Sequence, residues 1–382
     1  MIDYKKLNKY ASDLWSRDLP LEADRGLILD RNGVVLADNL TTTSLVLIPN
    51  QIKDKKKTTT LLADILGVSY DEMKEHVFKE TSIERVHPEG RRLSYDIAEK
   101  IADLKLDGVY LVKEAKRYYP YGNMLSHSLG YVGIDNQGLS GLELQYDDYL
   151  TGKSGAIKYF SDAKGNKLNL SDIYVEPQDG MNISLTIDIN IQKSLERELD
   201  NVVDMFSPDM ALAIVMDPNN GEILGIASRP DYDPNNYQDY TQEVLSRNLP
   251  IWASYEPGST FKIITTSAAV EEGVVDLNED HFYDAGSVNV DGSTLRCWKA
   301  GGHGEQTFLQ VLQNSCNPGF VKMGQLLGKE TLFDYIDKFG FGEKTGVDLN
   351  GEGKGIIFNL DQVGNVELAT TAFGQGVSVT PI

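Results

Sequence analysis

Tyr255-Glu256-Pro257-Gly258-Ser259-Thr260-Phe261-Lys262 is the stretch on which the reading of the fold turns. The Pro-Gly pair reads as a turn, and the apolar residues behind it (Ile263, Ile264, Ala268, Ala269, Val270) open a helical run. Ser259 is therefore expected on the first helical turn. Lys262 lies one turn on and on the same face, with its amine in reach of the hydroxyl. A serine hydroxyl attacks a carbonyl only when a base removes its proton. Lysine serves as that base once burial, nearby positive charge or the helix N-terminal field lowers its pKa. A second Ser-x-x-Lys, Ser161-Asp162-Ala163-Lys164, lies in a Gly-flanked polar loop with no helical run behind it. Context selects Ser259.

Downstream, this chemistry needs a Ser-x-Asn: a second hydroxyl to shuttle a proton and an amide to hold substrate. Ser246-Arg247-Asn248 precedes the nucleophile, and Ser287-Val288-Asn289 sits inside a predicted strand. Ser315-Cys316-Asn317 closes a helix predicted over 307–316 and follows Ser259 by 315 − 259 = 56 residues. Ser315 and Asn317 are the expected pair. Cys316, between them, is one of two cysteines; Cys297 lies 19 residues earlier, with His303 in between. Cys297-x5-His303-x12-Cys316 offers two thiolates and an imidazole, donors suited to a structural zinc ion. Asp284 or Asp291 would complete the set. With Asp291-Gly292 at the tip of a two-residue hairpin, Asp284 falls on the strand face of Cys297 and is preferred. A disulfide between the cysteines and two unrelated free thiols remain open readings. His76, His87, His127 and His281 have no ligand partners nearby in sequence and read as structural.

Further outward, 210–217, the turn Pro218-Asn219-Asn220-Gly221 and 222–227 read as a buried antiparallel hairpin. A strand at 183–188 and a helix over 189–204 precede it, and helices over 259–273, 307–316 and 329–338 follow. Strand pairs with helical insertions imply an α+β domain, an antiparallel sheet backed by helices. In the first half, Arg25-Gly26 to Ala37 carries two apolar runs around an Arg-Asn-Gly turn, a hairpin signal. A helical lead-in (Tyr4, Leu7, Ala11, Leu14, Trp15), mainly helical structure over 59–115 and a loop-rich junction over 133–180 surround it. A domain boundary is expected near 175–182.

The chain has 382 residues, 36 Lys+Arg against 57 Asp+Glu and a net charge of −21, with 41 % hydrophobic residues. That is a folded, acidic protein with no basic face for nucleic acid and no polybasic patch for a membrane surface. No apolar run is long enough to span a bilayer, and no signal peptide stands at the start. Two cysteines exclude a disulfide-stapled mini-domain.

The chain resembles a class B penicillin-binding protein from end to end, closest to the sporulation and division types. The stretch Tyr255–Lys262 is similar to that family's nucleophile motif, as are Ala227-Ser228-Arg229-Pro230-Asp231-Tyr232-Asp233-Pro234-Asn235 and Thr371-Ala372-Phe373-Gly374-Gln375-Gly376-Val377-Ser378-Val379-Thr380-Pro381. Arg25-Gly26, Asp30-Arg31-Asn32-Gly33, Arg117-Tyr118-Tyr119-Pro120, His127-Ser128-Leu129-Gly130-Tyr131 and Gly141-Leu142-Glu143 resemble its pedestal motifs. The resemblance implies an elongated β-rich pedestal of dimerisation type over 1–180 and a penicillin-binding-type transpeptidase domain over 181–382. The family's third motif, Lys-Thr/Ser-Gly, lies on the strand edging the site. Lys344-Thr345-Gly346 follows Asn317 by only 344 − 317 = 27 residues, in a helix-to-loop connection, and Lys153-Ser154-Gly155 precedes the nucleophile. The domain is therefore expected to be cut short before that motif.

The implied reaction is D,D-transpeptidation. Ser259 attacks the D-Ala–D-Ala bond of a donor stem peptide, D-alanine leaves, and the amine of a neighbouring peptide resolves the acyl-enzyme. Lys262 is the base, Ser315 relays a proton, Asn317 binds the donor amide, and the Ser259 N–H forms half of an oxyanion hole. No cofactor is required for the chemistry. The resemblance implies β-lactams as covalent ligands, a membrane glycan polymerase of the SEDS type as partner, and the extracytoplasmic face of the plasma membrane, with the native anchor lying upstream. It also keeps a regulatory disulfide between Cys297 and Cys316 among the open readings. The alternatives are a penicillin sensor or β-lactamase, against which the pedestal speaks, and a catalytically silent scaffold for the polymerase.

Overall fold

The computed structural model describes residues 16–160 and 173–382. The lead-in up to Trp15 and the Ser161 copy of Ser-x-x-Lys lie outside the described residues. Two compact units divide the chain: Met1–Asp200, Val215–Gly225 and Asp231–Gln242 form unit 1, and Asn201–Ile214, Ile226–Pro230 and Glu243–Ile382 form unit 2.

In unit 1, β1 (Ser16–Leu21) is a strand where the sequence suggested a continuing helix. The Arg-Asn-Gly hairpin forms as read, with β2 (Ile28–Leu29) antiparallel to β3 (Val35–Leu47). Its turn closes on Asp30 Oδ1, which accepts from the N–H groups of Asn32 (2.7 Å) and Val34 (2.8 Å). Helices α1 (Lys55–Leu66) and α2 (Tyr70–Val77), strand β4 (Glu84–Arg85) and helix α3 (Tyr95–Asp103) follow. Beyond them β5 (Val109–Tyr118) pairs antiparallel with β3 from Asp38↔Tyr118 to Leu47↔Val109. The helical reading of 59–115 thus fails at its end. The reason is that β5 buries two charged residues, Glu114 and Arg117, which interrupt the apolar alternation of a strand.

The helices close over Leu45, Leu47, Leu62, Met73, Val77 and Ile101, each worth roughly 1.5–3 kcal/mol of burial. The junction over 133–180 is more ordered than expected. It holds α4 (Gly141–Gln145), α5 (Asp147–Leu150) and the sheet β1-β6-β7, with β6 (Gly155–Phe160) and β7 (Ile173–Val175). Strand β8 (Ile183–Ser184) runs parallel to β2.

The charged pedestal motifs meet in space. Glu143, fully buried, accepts from Arg25 Nε (2.6 Å) and Arg117 Nε (2.7 Å), and Tyr119 OH lies 3.3 Å away. Arg25 also reaches Asp147 Oδ1 at 2.6 Å. A second network joins Glu114 to Arg91 and Ser44.

Helix α6 (Ile189–Phe206) leads into the hairpin of β9 (Ala211–Met216) and β10 (Ile223–Arg229). This hairpin is less buried than its sequence suggested: β9 is half-exposed along its length, with Met216 exposed. Unit 2 continues with α7 (Lys262–Glu271), β11 (His281–Asp284), β12 (Ser287–Val290), β13 (Ser293–Arg296), β14 (Gly304–Thr307), α8 (Phe308–Gln313), α9 (Asn317–Lys338) and α10 (Asn365–Thr371). Its core packs Phe261, Ala268, Ala269, Val311, Phe320, Met323, Leu332, Ile336 and Ala372. Among the described residues no helix is long and apolar enough to cross a membrane.

Candidate active site

The nucleophile turn is held from a segment 120 residues away. Gly258 N–H donates to Gly374 O (2.9 Å), Gly376 N–H to Glu256 Oε1 (2.8 Å), and Tyr255 and Val379 exchange backbone bonds of 3.0 and 2.9 Å. A Cβ on Gly374 would fall 2.0 Å from Gly258 O, and its φ is +81°, so only glycine fits. The sequence offered no sign of the Glu256–Gly376 contact, although both motifs stood out individually.

Ser259 lies in a 3₁₀ turn, Gly258–Phe261, and Lys262 begins α7. A 3₁₀ turn aligns residues three apart more closely than an α-helix does. The Ser259 hydroxyl is exposed, while Lys262 is 2 % exposed. Ser315 comes to both: its Oγ lies 3.0 Å from Ser259 Oγ and 2.9 Å from Lys262 Nζ. The lysine also donates to Ser315 O (2.9 Å) and Asn317 Oδ1 (2.7 Å). The sequence reading expected the amine to reach Ser259 itself. Among the described hydrogen bonds the connection runs through Ser315 instead. Burial lowers the Lys262 pKa to about 8, against a smaller upward pull from Cys316 and Cys297.

Ser315-Cys316-Asn317 does not close a helix over 307–316 as expected. Helix α8 stops at Gln313, Ser315 takes a left-handed backbone (φ 49°), Cys316 caps α9 and Asn317 is its first residue. Asn317 Nδ2 donates to Arg296 O (3.2 Å), so both ends of its amide are occupied. Lys344-Thr345-Gly346 lies in a loop wrapped around the Glu352 carboxylate, which accepts from Thr345 N and Oγ1 (2.6 Å each) and Gly346 N (3.2 Å).

Behind the Ser-x-Asn turn, Asp284, Cys297, His303 and Cys316 place one ligand atom each within 4.8 Å of one another. Asp284 Oδ2 meets His303 Nδ1 (2.9 Å) and Cys316 Sγ (3.3 Å), and Cys297 Sγ lies 3.4 Å from His303 Nδ1. Tetrahedral bonds of roughly 2.0–2.3 Å to zinc would separate ligand atoms by about 3.3–3.8 Å, so the set needs little adjustment. The hairpin β12–β13 turns at Asp291-Gly292 as read. Asp291 is elsewhere, bound to Asn365 Nδ2 at 2.8 Å. Burial and Asp284 push the Cys316 thiol up to about 12, with Gly319 N–H and the Gln306 amide pulling it down. Burial opposes ionisation of Asp284, but bonds from Cys297, Gly286, His303 and Cys316 outweigh it and hold the carboxyl at about 2. Trp298 Nε1 donates to Asn314 O (2.8 Å), and its ring meets His303 edge-on.

Comparison with known proteins bears on the family of the chain. The family model described as "Penicillin binding protein transpeptidase domain" matches residues 211–382, and that described as "Penicillin-binding Protein dimerisation domain" matches residues 20–185. The chain belongs to the class B penicillin-binding proteins. Among relatives of this penicillin-binding protein, the Stage V sporulation protein D of Bacillus subtilis (strain 168) is 55 % identical over 379 residues, 99 % of the chain and 59 % of the relative. The peptidoglycan D,D-transpeptidase FtsI of Escherichia coli (strain K12) is 30 % identical over 374 residues, 95 % of the chain and 61 % of the relative. A solved complex between penicillin-binding protein PBP2 and MreC from Helicobacter pylori aligns with TM-score 0.79 and 27 % identity, covering 96 % of the chain and 74 % of that protein. The chain spans about three fifths of the length of the curated relatives it matches.

Proposed function

We propose that this penicillin-binding protein cross-links peptidoglycan as a serine D,D-transpeptidase. The observation that carries the reading is the Ser259–Ser315–Lys262 chain of contacts, 3.0 and 2.9 Å, ending on a buried amine. Ser259 attacks the carbonyl of the penultimate D-alanine; its proton passes to Ser315 Oγ while Ser315's own proton passes to neutral Lys262. The protonated relay then delivers a proton to the leaving D-alanine amine, and an ester joins donor peptide to Ser259. Asn317, its amide held between Lys262 and Arg296, supports the donor. An acceptor amine attacks the ester and restores the serine. β-Lactams would acylate the same oxygen. A membrane glycan polymerase as partner, and a site of action outside the plasma membrane, accompany this reading.

A fluorescent penicillin should label the native protein covalently, and Ser259→Ala should abolish labelling while the circular dichroism spectrum stays unchanged. Labelling that survives Ser259→Ala and is lost in Ser161→Ala would overturn the assignment.

Asp284, Cys297, His303 and Cys316 we read as a structural zinc site. Two thiols, an imidazole and a carboxylate suit tetrahedral zinc, and four protein ligands leave no position for a reactive water. The metal would supply folding free energy rather than chemistry. Protein prepared without chelator should contain about one zinc per chain, from the four-ligand count. A metal-free disulfide between Cys297 and Cys316, or two free thiols without metal, would reject it.

A further inference from the structure

Gln306 lies on β14, 3 % exposed, and its side chain is only half satisfied. Oε1 accepts from Asn314 Nδ2 at 3.1 Å, while Nε2 is buried without a hydrogen-bond partner. Buried amide donors are rarely left alone, and an orphan of this kind calls for an explanation such as an absent ion. The strand register says where this one points. Asp284 pairs with Gly304 and Phe282 with Gln306, so Gln306 stands two residues along the strand from the position opposite Asp284, on the same sheet face. Gly304 has no side chain to fill the space between. Because the carboxamide oxygen is turned to Asn314, its nitrogen is turned away from it, on the sheet face where Asp284 Oδ2 meets Cys316 Sγ at 3.3 Å.

We infer that Gln306 is an outer-shell donor of the four-ligand centre, its Nε2–H aimed at the charge that ligation places on Cys316. This rests on the zinc reading. A divalent ion with two thiolates, one carboxylate and a neutral imidazole carries one net negative charge (+2 − 3 = −1). That charge sits among buried residues and requires N–H donors. Asp284 already has two, Gly286 N–H on Oδ1 (2.7 Å) and His303 N–H on Oδ2 (3.0 Å). Gln306 is the side-chain donor that serves the Cys316 end. It is a positioning residue, outside the acyl-transfer chemistry.

Two variants separate this role from packing. Gln306→Glu keeps an acceptor for Asn314, removes the donor and adds charge of the wrong sign; Gln306→Met keeps length without a polar group. Competition with a chromogenic chelator should show zinc affinity reduced about 10–100-fold in Gln306→Met and reduced further in Gln306→Glu. The melting temperature of metal-free Gln306→Met should be unchanged or higher, because an unpaired buried amide is gone. In cobalt-substituted protein, the thiolate-to-metal charge-transfer band should shift on Gln306→Met, a signature that a packing role would leave in place. Zinc affinities equal to the parent in both variants would overturn the inference while leaving the zinc site standing. A parent protein that binds no zinc would overturn both.

Discussion

A lysine whose pKa lies at about 8 is neutral in roughly one molecule of ten at pH 7 and half neutral at pH 8. Lys262 is therefore a usable base near neutrality because burial has removed part of the hydration that favours its charge. The rate of β-lactam acylation should rise with pH through one ionisation near 8 and level off above it, the value at pH 7 being about a tenth of the plateau. A profile flat from pH 6 to 9 would show that Lys262 does not accept the proton. The stability effect of this residue has the same direction. Its folded pKa is below the unfolded value of 10.5, so the folded state binds fewer protons between the two, and stability rises with pH across that window. At this scale the sequence was largely readable. Ser259 and Lys262 are three apart and locally framed, and Ser315 and Asn317 follow from order along the chain. What could not be read depends on tertiary register: the relay through Ser315, the Glu256–Gly376 contact, and Gln306, which the β11–β14 pairing brings to the sheet face of Asp284.

Four elements converge on the cysteine cluster: the end of β11, the residue after β13, the loop before β14 and the cap of α9. A metal there would hold the hairpin and the Ser-x-Asn turn as one piece, so its removal should act on both stability and reactivity. Chelation should lower the melting temperature, by the equivalent of about 4 kcal/mol if zinc stands at 1,000 times its dissociation constant, and slow acylation in parallel. A drop in one without the other would detach the cluster from Ser315.

Elements were less legible than residues where local rules mislead. The hairpin at Asn32-Gly33 was plain because its turn chemistry is local. Helix α9 was half legible. Sequence reading began a helix at 329, and a helical segment does run from there to Lys338; the segment before it was missed, which starts at Asn317 with Pro318 in its first turn, where a missing N–H costs nothing. Gly319 and Gly324 look like breakers but answer packing needs. A Cβ on them would meet Val311 Cγ1 at 2.4 Å and Ala372 Cβ at 2.7 Å respectively. The left-handed Gly328 kinks the helix just where the reading placed its start.

For the molecule as a whole, each unit has its own core, and perturbations can be assigned to one or the other. In unit 1 the decisive centre is electrostatic: Glu143 between two guanidinium groups, all three 3 % exposed or less. Breaking a buried pair from one side typically costs about 3–5 kcal/mol, since the partner charge stays behind. Glu143→Gln should therefore shift urea unfolding of unit 1 by that amount while penicillin labelling in native buffer persists. A shift under 1 kcal/mol, or labelling lost without unfolding, would contradict this account. The α+β class and the presence of two regions were legible from texture and motifs. Their interleaving was not, because hydrophobic pattern carries no record of which stretches return to a region already left.

That interleaving has a temporal side. The chain passes from one unit to the other after Asp200, Ile214, Gly225, Pro230 and Gln242. During synthesis, unit 1 lacks its last piece until residue 242 has cleared the ribosome, by which time the first pieces of unit 2 have already emerged. Completion of unit 1 therefore overlaps with the emergence of unit 2. A protease nick at a peptide bond between residues 214 and 231 would leave each half with pieces of both units and neither unit whole, and exchange of one unit between related genes would demand several coordinated crossovers instead of one.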